Sequence, residues 1–176
     1  MYSQWEHWLP NDETTSDTFK RAGYYAKNVT DRLRVIALNT NLCSRENYWQ
    51  LYDPRDQGDQ LSWLAEQLTT AEMAGQHVHL VGHIPPSSEC TETWLHNYMK
   101  LLDRFATTIT GSWFGHTHND EIRVYYPTDK NSGKGDSPTQ IGFVGGSITT
   151  FGHVNPCYKI YTIDENQVRT KIALLY

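Results

Sequence analysis

The chain has 176 residues, of which 38% are hydrophobic and 12% aromatic, with 6 Trp and 11 Tyr. That length suits one domain burying about 70% of its extended-chain surface. A net charge of -5 and a pI of 5.9 argue against nucleic acid as the main partner, and at a mean hydropathy of -0.62 no apolar run approaches the ~18 residues of a membrane span.

Residues 1–31 are polar and aromatic, with Trp5, Trp8, Phe19, Tyr24 and Tyr25 at weak periodicity, and predict no regular element. Arg32 to Asn41, "RLRVIALNTN", reads as a buried strand carrying Leu33, Val35, Ile36 and Leu38. After a Pro/Gly/Asp loop, "DQLSWLAEQLTTAEMAG" places Leu61, Leu64, Ala65, Leu68 and Ala71 at helical spacing. Asp59 is the expected N-cap of that helix and Gly75 its expected end. "QHVHLVGHIPP" then returns as a short strand, Val78 to Val81, stopped by Gly82 and Pro85-Pro86. A second helix is predicted over 93–106, burying Trp94, Tyr98, Leu101, Leu102 and Phe105. Later strands are predicted at 112–114, 121–126, 140–144 and 158–163. Strand, helix, strand, helix and strand followed by hairpins predict an α/β fold with a mixed sheet and flanking helices, in one domain without internal repeats.

The stretch "GSWFGHTHND" ends an apolar strand on Gly115, His116, Thr117 and His118. A tight turn at Gly115 would aim both imidazoles into one cleft, and neutral imidazoles converging on a point make a site for zinc or a similar divalent ion. A His-x-His pair also arises by chance on an exposed strand. His83 changes the balance, because it too lies just beyond the C-terminal end of a strand, where open α/β sheets place ligands. His77 and His79 read as surface or ladder positions, and His7 and His96 have no convergent partner. Below their usual pKa of ~6.5 the eight histidines would carry the chain from -5 to about +3. That is an upper bound, because histidines holding a metal take up no proton.

Evidence on compartment conflicts. Cys43, Cys90 and Cys157 give an odd count with no Cys-x-x-Cys pair, which disfavours a zinc ribbon. Asn28-Val29-Thr30 is an N-glycosylation sequon, meaningful only in a secretory protein. Yet "MYSQWEHWLP" has neither the basic nor the apolar region of a signal peptide. A secretory-pathway protein whose N-terminal portion is absent satisfies both; a cytosolic protein with a chance sequon is the alternative.

"VGHIPP" followed by "WFGHTH" resembles the calcineurin-like metallophosphoesterases, and within them the acid sphingomyelinase (sphingomyelin phosphodiesterase) family. "LNTNLCSRENYW", "DQGDQLSWL", "GHIPPSSEC", "FGHTHNDEIRVYY" and "NPCYKIY" look like that family's catalytic domain in its order, and "WEHWLP" extends the likeness toward the N-terminus. Gly-His-x-His alone is a moderate signal; the ordered set is a strong one. The segment Asn41 to Asn47 is closer to sphingomyelinases than to related nucleotide phosphodiesterases.

The resemblance implies residues 1–176 as the C-terminal part of a metallophosphoesterase α/β/β/α sandwich whose N-terminal half is absent, with Met1 at an interior position. It implies two zinc ions in the complete enzyme, bridging the hydroxide that attacks phosphorus. His83 and His116 would ligate one zinc and His118 the other. Tyr158 would contact phosphocholine through its ring face, a cation–π contact worth ~0.5–2 kcal/mol, and Glu46 would add a carboxylate near that cation; both also suit packing and loop roles. It implies a Cys43–Cys90 disulfide worth roughly 3–4 kcal/mol in loop-closure entropy, with Cys157 unpaired. Sphingomyelin or a membrane lipid surface is the implied partner and a secreted or lysosomal location the implied compartment.

The departure from the family is large. The chain has no Asp-x-His and no Gly-Asn-His, so the bridging Asp and the proton-donating His are missing, and no catalytic residue is retained. Gly58-Asp59 and Gly135-Asp136 lie in loops of the wrong context. The expected function is a sphingomyelin phosphodiesterase-like zinc hydrolase releasing ceramide and phosphocholine, in a chain inactive alone. Two other readings stay open: a non-catalytic remnant or partial gene model, and a phosphodiesterase acting on nucleotides or other phosphodiesters.

Overall fold

In the computed structural model, residues 2–128 and 137–175 are described; Met1, Gly135 and Asp136 lie outside them. Two helices and a strand occupy the N-terminal segment where no element was predicted: α1 (Tyr2–Trp5), α2 (Glu13–Ala22) and β1 (Tyr25–Asn28). Helix α2 escapes an apolar-periodicity reading because its fully buried residues are Thr15 and Thr18. Its ends were nevertheless written in the chain. Asp12 accepts from Thr15 N at 2.7 Å, and Gly23, at φ 75°, returns its N–H to Phe19 O at 3.0 Å.

The rest follows the predicted order: β2 (Leu33–Ala37), α3 (Gln60–Met73), β3 (His77–Val81), α4 (Glu92–Arg104), β4 (Ile109–Phe114), β5 (Glu121–Tyr125), β6 (Gln140–Val144) and β7 (Lys159–Ile163), with β3, α4 and β4 starting earlier than expected. Strand β8 (Thr170–Leu175) is additional and pairs antiparallel with β7. The expected cap of α3 is corrected. Asp59 sits in the left-handed region and pairs with Arg21, while Asp56 accepts from Leu61 N at 2.7 Å and Ser62 N at 2.9 Å. The Gly58 turn, at φ 63°, moves the capping carboxylate three residues upstream.

Six strands form one mixed sheet in the order β1-β2-β3-β4-β6-β5. β2, β3, β4 and β6 run parallel, and antiparallel β1 and β5 close the edges. Helices α3 and α4 cover one face, where Leu64, Leu68, Tyr98 and Leu102 pack against Ile36, Val78, Leu80 and Ile109. Each such aliphatic side chain contributes about 1.5–3 kcal/mol on burial. Between Val78 and His79 the β3–β4 register shifts, so Ile109 faces the helices while Trp113 emerges on the opposite face. There Trp113 meets Phe143, His79 and Tyr161. Gly111 is required beneath it, since a Cβ would fall 2.2 Å from the Trp113 ring. His79 is not a surface position: it is buried, its Nε2 2.9 Å from Val168 O, and burial lowers its pKa.

The β7–β8 hairpin covers only part of that second face. On β5 and β6, Ile122, Val124 and Ile141 share the side of Phe143 and remain 64%, 45% and 46% exposed. A strip of this kind on an edge strand invites association. The chain should therefore enhance the fluorescence of anilinonaphthalene sulfonate and aggregate, and Ile122→Lys with Val124→Lys should suppress both. A soluble monomer that melts cooperatively without binding dye would contradict this.

Cys43 and Cys90, both buried and 47 positions apart in sequence, are joined by a disulfide with Cα atoms 4.7 Å apart; Cys157 is free. Reduction should lower stability by roughly 3–4 kcal/mol in urea melts. Non-reducing peptide mapping that linked Cys157 to either partner would refute the pairing.

Candidate metal centre

The C-terminal ends of β2, β3 and β4 meet at one end of the sheet. Parallel pairing runs on past the strands: Gly82 N donates to Trp113 O and Gly115 N to His83 O, each at 3.0 Å. Buried Thr40, just beyond β2, accepts with one hydroxyl from His83 N at 2.8 Å and Ile84 N at 2.7 Å. A β-carbon on Gly82 would lie 2.8 Å from Thr40 Cγ2, so the loop packs closely only with glycine there. These bonds bring His83 and His116 together, with ring centroids 5.1 Å apart and planes at 79°.

His116 and His118 both adopt left-handed backbone, at φ 77° and 63°. Non-glycine residues there are uncommon, histidine less so than most, and the strain belongs with functional sites. Two left-handed residues flanking Thr117 turn the chain through the Gly115–His118 segment, with Thr117 N bonded to Gly115 O at 3.0 Å. The Thr117 hydroxyl beside Glu121 holds that carboxyl below the usual range.

His118 Nδ1 lies 3.2 Å from Phe151 O. A carbonyl only accepts, so Nδ1 carries the proton on that bond and Nε2 is the lone pair of the neutral ring. His116 Nε2 lies 2.6 Å from Glu89 Oε2. Burial lowers the pKa of His83, and His116 and His118 lower it further through charge repulsion, which sets the three imidazoles within electrostatic reach of one another.

Imidazole and carboxylate donors suit zinc and related ions. The number of donors falls short: among the described residues no three His, Cys, Asp or Glu side chains close on a single point. The chain's own residues therefore fit a share of a metal's ligands and do not fit a two-ion centre. Of the other candidates, Tyr158 is 60% exposed and Glu46 is exposed, its N–H bonded to Ser44 Oγ at 3.1 Å. Asn28 closes β1 and is exposed, its Oδ1 accepting from Arg34 Nε at 3.0 Å. Glu89 lies within "GHIPPSSEC", but nothing in the sequence assigned it a role; its signal there is its place beside Cys90. Among the described residues no helix is long and apolar enough to cross a membrane.

No protein-family model matches the chain. Over 166 residues, 94% of this chain, it is 41% identical to sphingomyelin phosphodiesterase of Bos taurus and 40% identical to that of Homo sapiens. The chain spans 25% of the length of each. Among solved structures, "Structure of PhoD" matches with a TM-score of 0.52 at 11% identity, covering 98% of this chain and 38% of that one. That likeness concerns the fold.

Replacing His116 with Ala removes one of the two charges that depress His83. In the metal-free chain the His83 titration midpoint, followed by NMR, should therefore rise. The fold disfavours protonated His83, so its contribution to stability is full above about pH 6.5 and is lost as pH falls toward the lowered native value. An unmoved midpoint would mean that the two rings do not share a site.

Proposed function

We propose, starting from the homology that joins this chain to the sphingomyelin phosphodiesterases over a quarter of their length, that it is the C-terminal part of a zinc-dependent phosphodiesterase domain cleaving sphingomyelin to ceramide and phosphocholine. The observation that carries the reading is the meeting of His83 and His116, rings 5.1 Å apart, on neighbouring parallel strand ends. In this reading His83, His116 and His118 are three of the metal ligands, and the remaining ligands and the proton donor come from sequence that the relatives hold outside the matched quarter. When bound, the metal would supply a nucleophilic hydroxide and offset charge on the phosphate.

The chain's own residues position and recognise. Thr40 and the β3–β4 backbone hold His83 and His116 in place. Tyr158 offers an exposed phenol face to the quaternary ammonium, and Glu46 a carboxylate to the same charge. The substrate is presented by a membrane lipid surface. Asn28 as a glycan acceptor and the single disulfide support a secreted or lysosomal protein, because disulfides persist in oxidising compartments.

By itself the chain should release phosphocholine from sphingomyelin at near the blank rate. General acid catalysis, which typically contributes ~10²–10⁴ in rate, has no donor here. Zinc should bind at one ion or fewer per chain, and more weakly as pH falls, because protons compete for neutral imidazole. A chimaera carrying this chain in place of the matched segment of the human relative should hydrolyse sphingomyelin in preference to a nucleotide phosphodiester and lose that activity on His116→Ala. Two tightly bound zinc ions with turnover by the isolated chain would overturn the division of labour. A chimaera that prefers the nucleotide substrate would overturn the substrate.

A further inference from the structure

Glu89 comes to His116 from a separate loop, 27 positions away in sequence. The loop is tethered on both sides of the residue. Glu89 O accepts from Arg45 N at 3.0 Å, Glu89 N donates to Ser87 Oγ at 3.2 Å, and the next residue, Cys90, is in the disulfide with Cys43. His116 is equally constrained, by its left-handed backbone and by Gly115 bonded to His83. The 2.6 Å contact is therefore a meeting of two fixed backbones rather than of two wandering side chains. With the side chains 32% and 49% exposed, such a pair adds little to stability. Its consequence is orientation. A carboxylate only accepts, so the ring nitrogen facing it carries the proton and the other keeps the lone pair.

We propose that Glu89 is a positioning residue: it holds His116 as the Nε2–H tautomer and so makes Nδ1 the atom offered to a divalent cation. This rests on the reading of His116 as a metal ligand. Ligating histidines commonly donate their second ring N–H to a carboxylate, which fixes the tautomer and raises ligand basicity, and losing that partner typically costs about 10–100-fold in metal affinity. The family resemblance assigns the residue no role, yet it supplies a carboxylate to a site otherwise built of imidazoles.

The test uses the 176-residue chain carrying Ile122→Lys and Val124→Lys to keep it in solution, as the background for every variant. It is labelled with ¹⁵N at histidine, metal-free and then titrated with zinc against a chromophoric chelator. Long-range ¹H–¹⁵N correlation spectra should show the Nε2–H form of His116 in that background itself and in Glu89→Gln, whose amide oxygen still accepts. Glu89→Ala should give a mixed tautomer population and bind zinc about 10–100-fold more weakly, with Glu89→Gln between the two. An unchanged tautomer in Glu89→Ala would overturn the proposal. So would tighter zinc binding by that variant, which would mean that the carboxylate occupies the cation's place. If zinc leaves the His116 resonances unmoved in every variant while Glu89 still sets the tautomer, the metal reading of His116 fails and the carboxylate's hold on the ring stands.

Discussion

The parallel pairing of β3 and β4 does not stop where the strands stop. Two further backbone bonds, Gly82 N to Trp113 O and Gly115 N to His83 O, carry the ladder into the loops. A backbone hydrogen bond between loops fixes position far more firmly than a contact between side chains, because it uses groups that must be satisfied anyway. Everything at this end of the sheet hangs on that extension. It sets His83 beside His116, lets the single Thr40 hydroxyl close the gap to β2, and puts the following turn within reach of Glu89.

Holding these residues has a cost. Residues forced into sparsely populated backbone regions lose about 1–3 kcal/mol each, and His116 and His118 are two such residues within one short turn. Much of the opposing stabilisation lies in the interior behind the site, where α3 and α4 bury their leucines and Tyr98 against the sheet. The Cys43–Cys90 disulfide works from the other side by shortening the unfolded ensemble and pinning the two loops that flank the site. Chemistry-bearing residues thus sit on strained turns at the margin of a well-packed interior, the usual division between scaffold and site.

The two faces of the sheet are unequal. One carries the helices. The other is roofed at Trp113, Phe143 and Tyr161 by the β7–β8 hairpin, and bare along Ile122, Val124 and Ile141. A second exposed apolar run, Tyr48, Trp49, Leu51 and Tyr52, lies on the loop after Cys43.

The sequence by itself determined the α/β order, because strands such as Leu33–Ala37 and helices such as Gln60–Met73 carry their pattern of apolar residues within one short stretch of chain. It also singled out His83, His116 and His118 by their places after strands. It could not reveal α2, whose buried positions are threonines, or β8, whose identity as a strand depends on pairing with β7. The cap of α3 misled it, since Asp56 and Asp59 are equally good capping residues and only the Gly58 turn chooses between them. The β3–β4 register shift, the burial of His79 under Val168 and the approach of Glu89 to His116 were decided by tertiary structure alone. Each joins residues from different elements, and local sequence encodes the turn or strand at each end but not the distance between them.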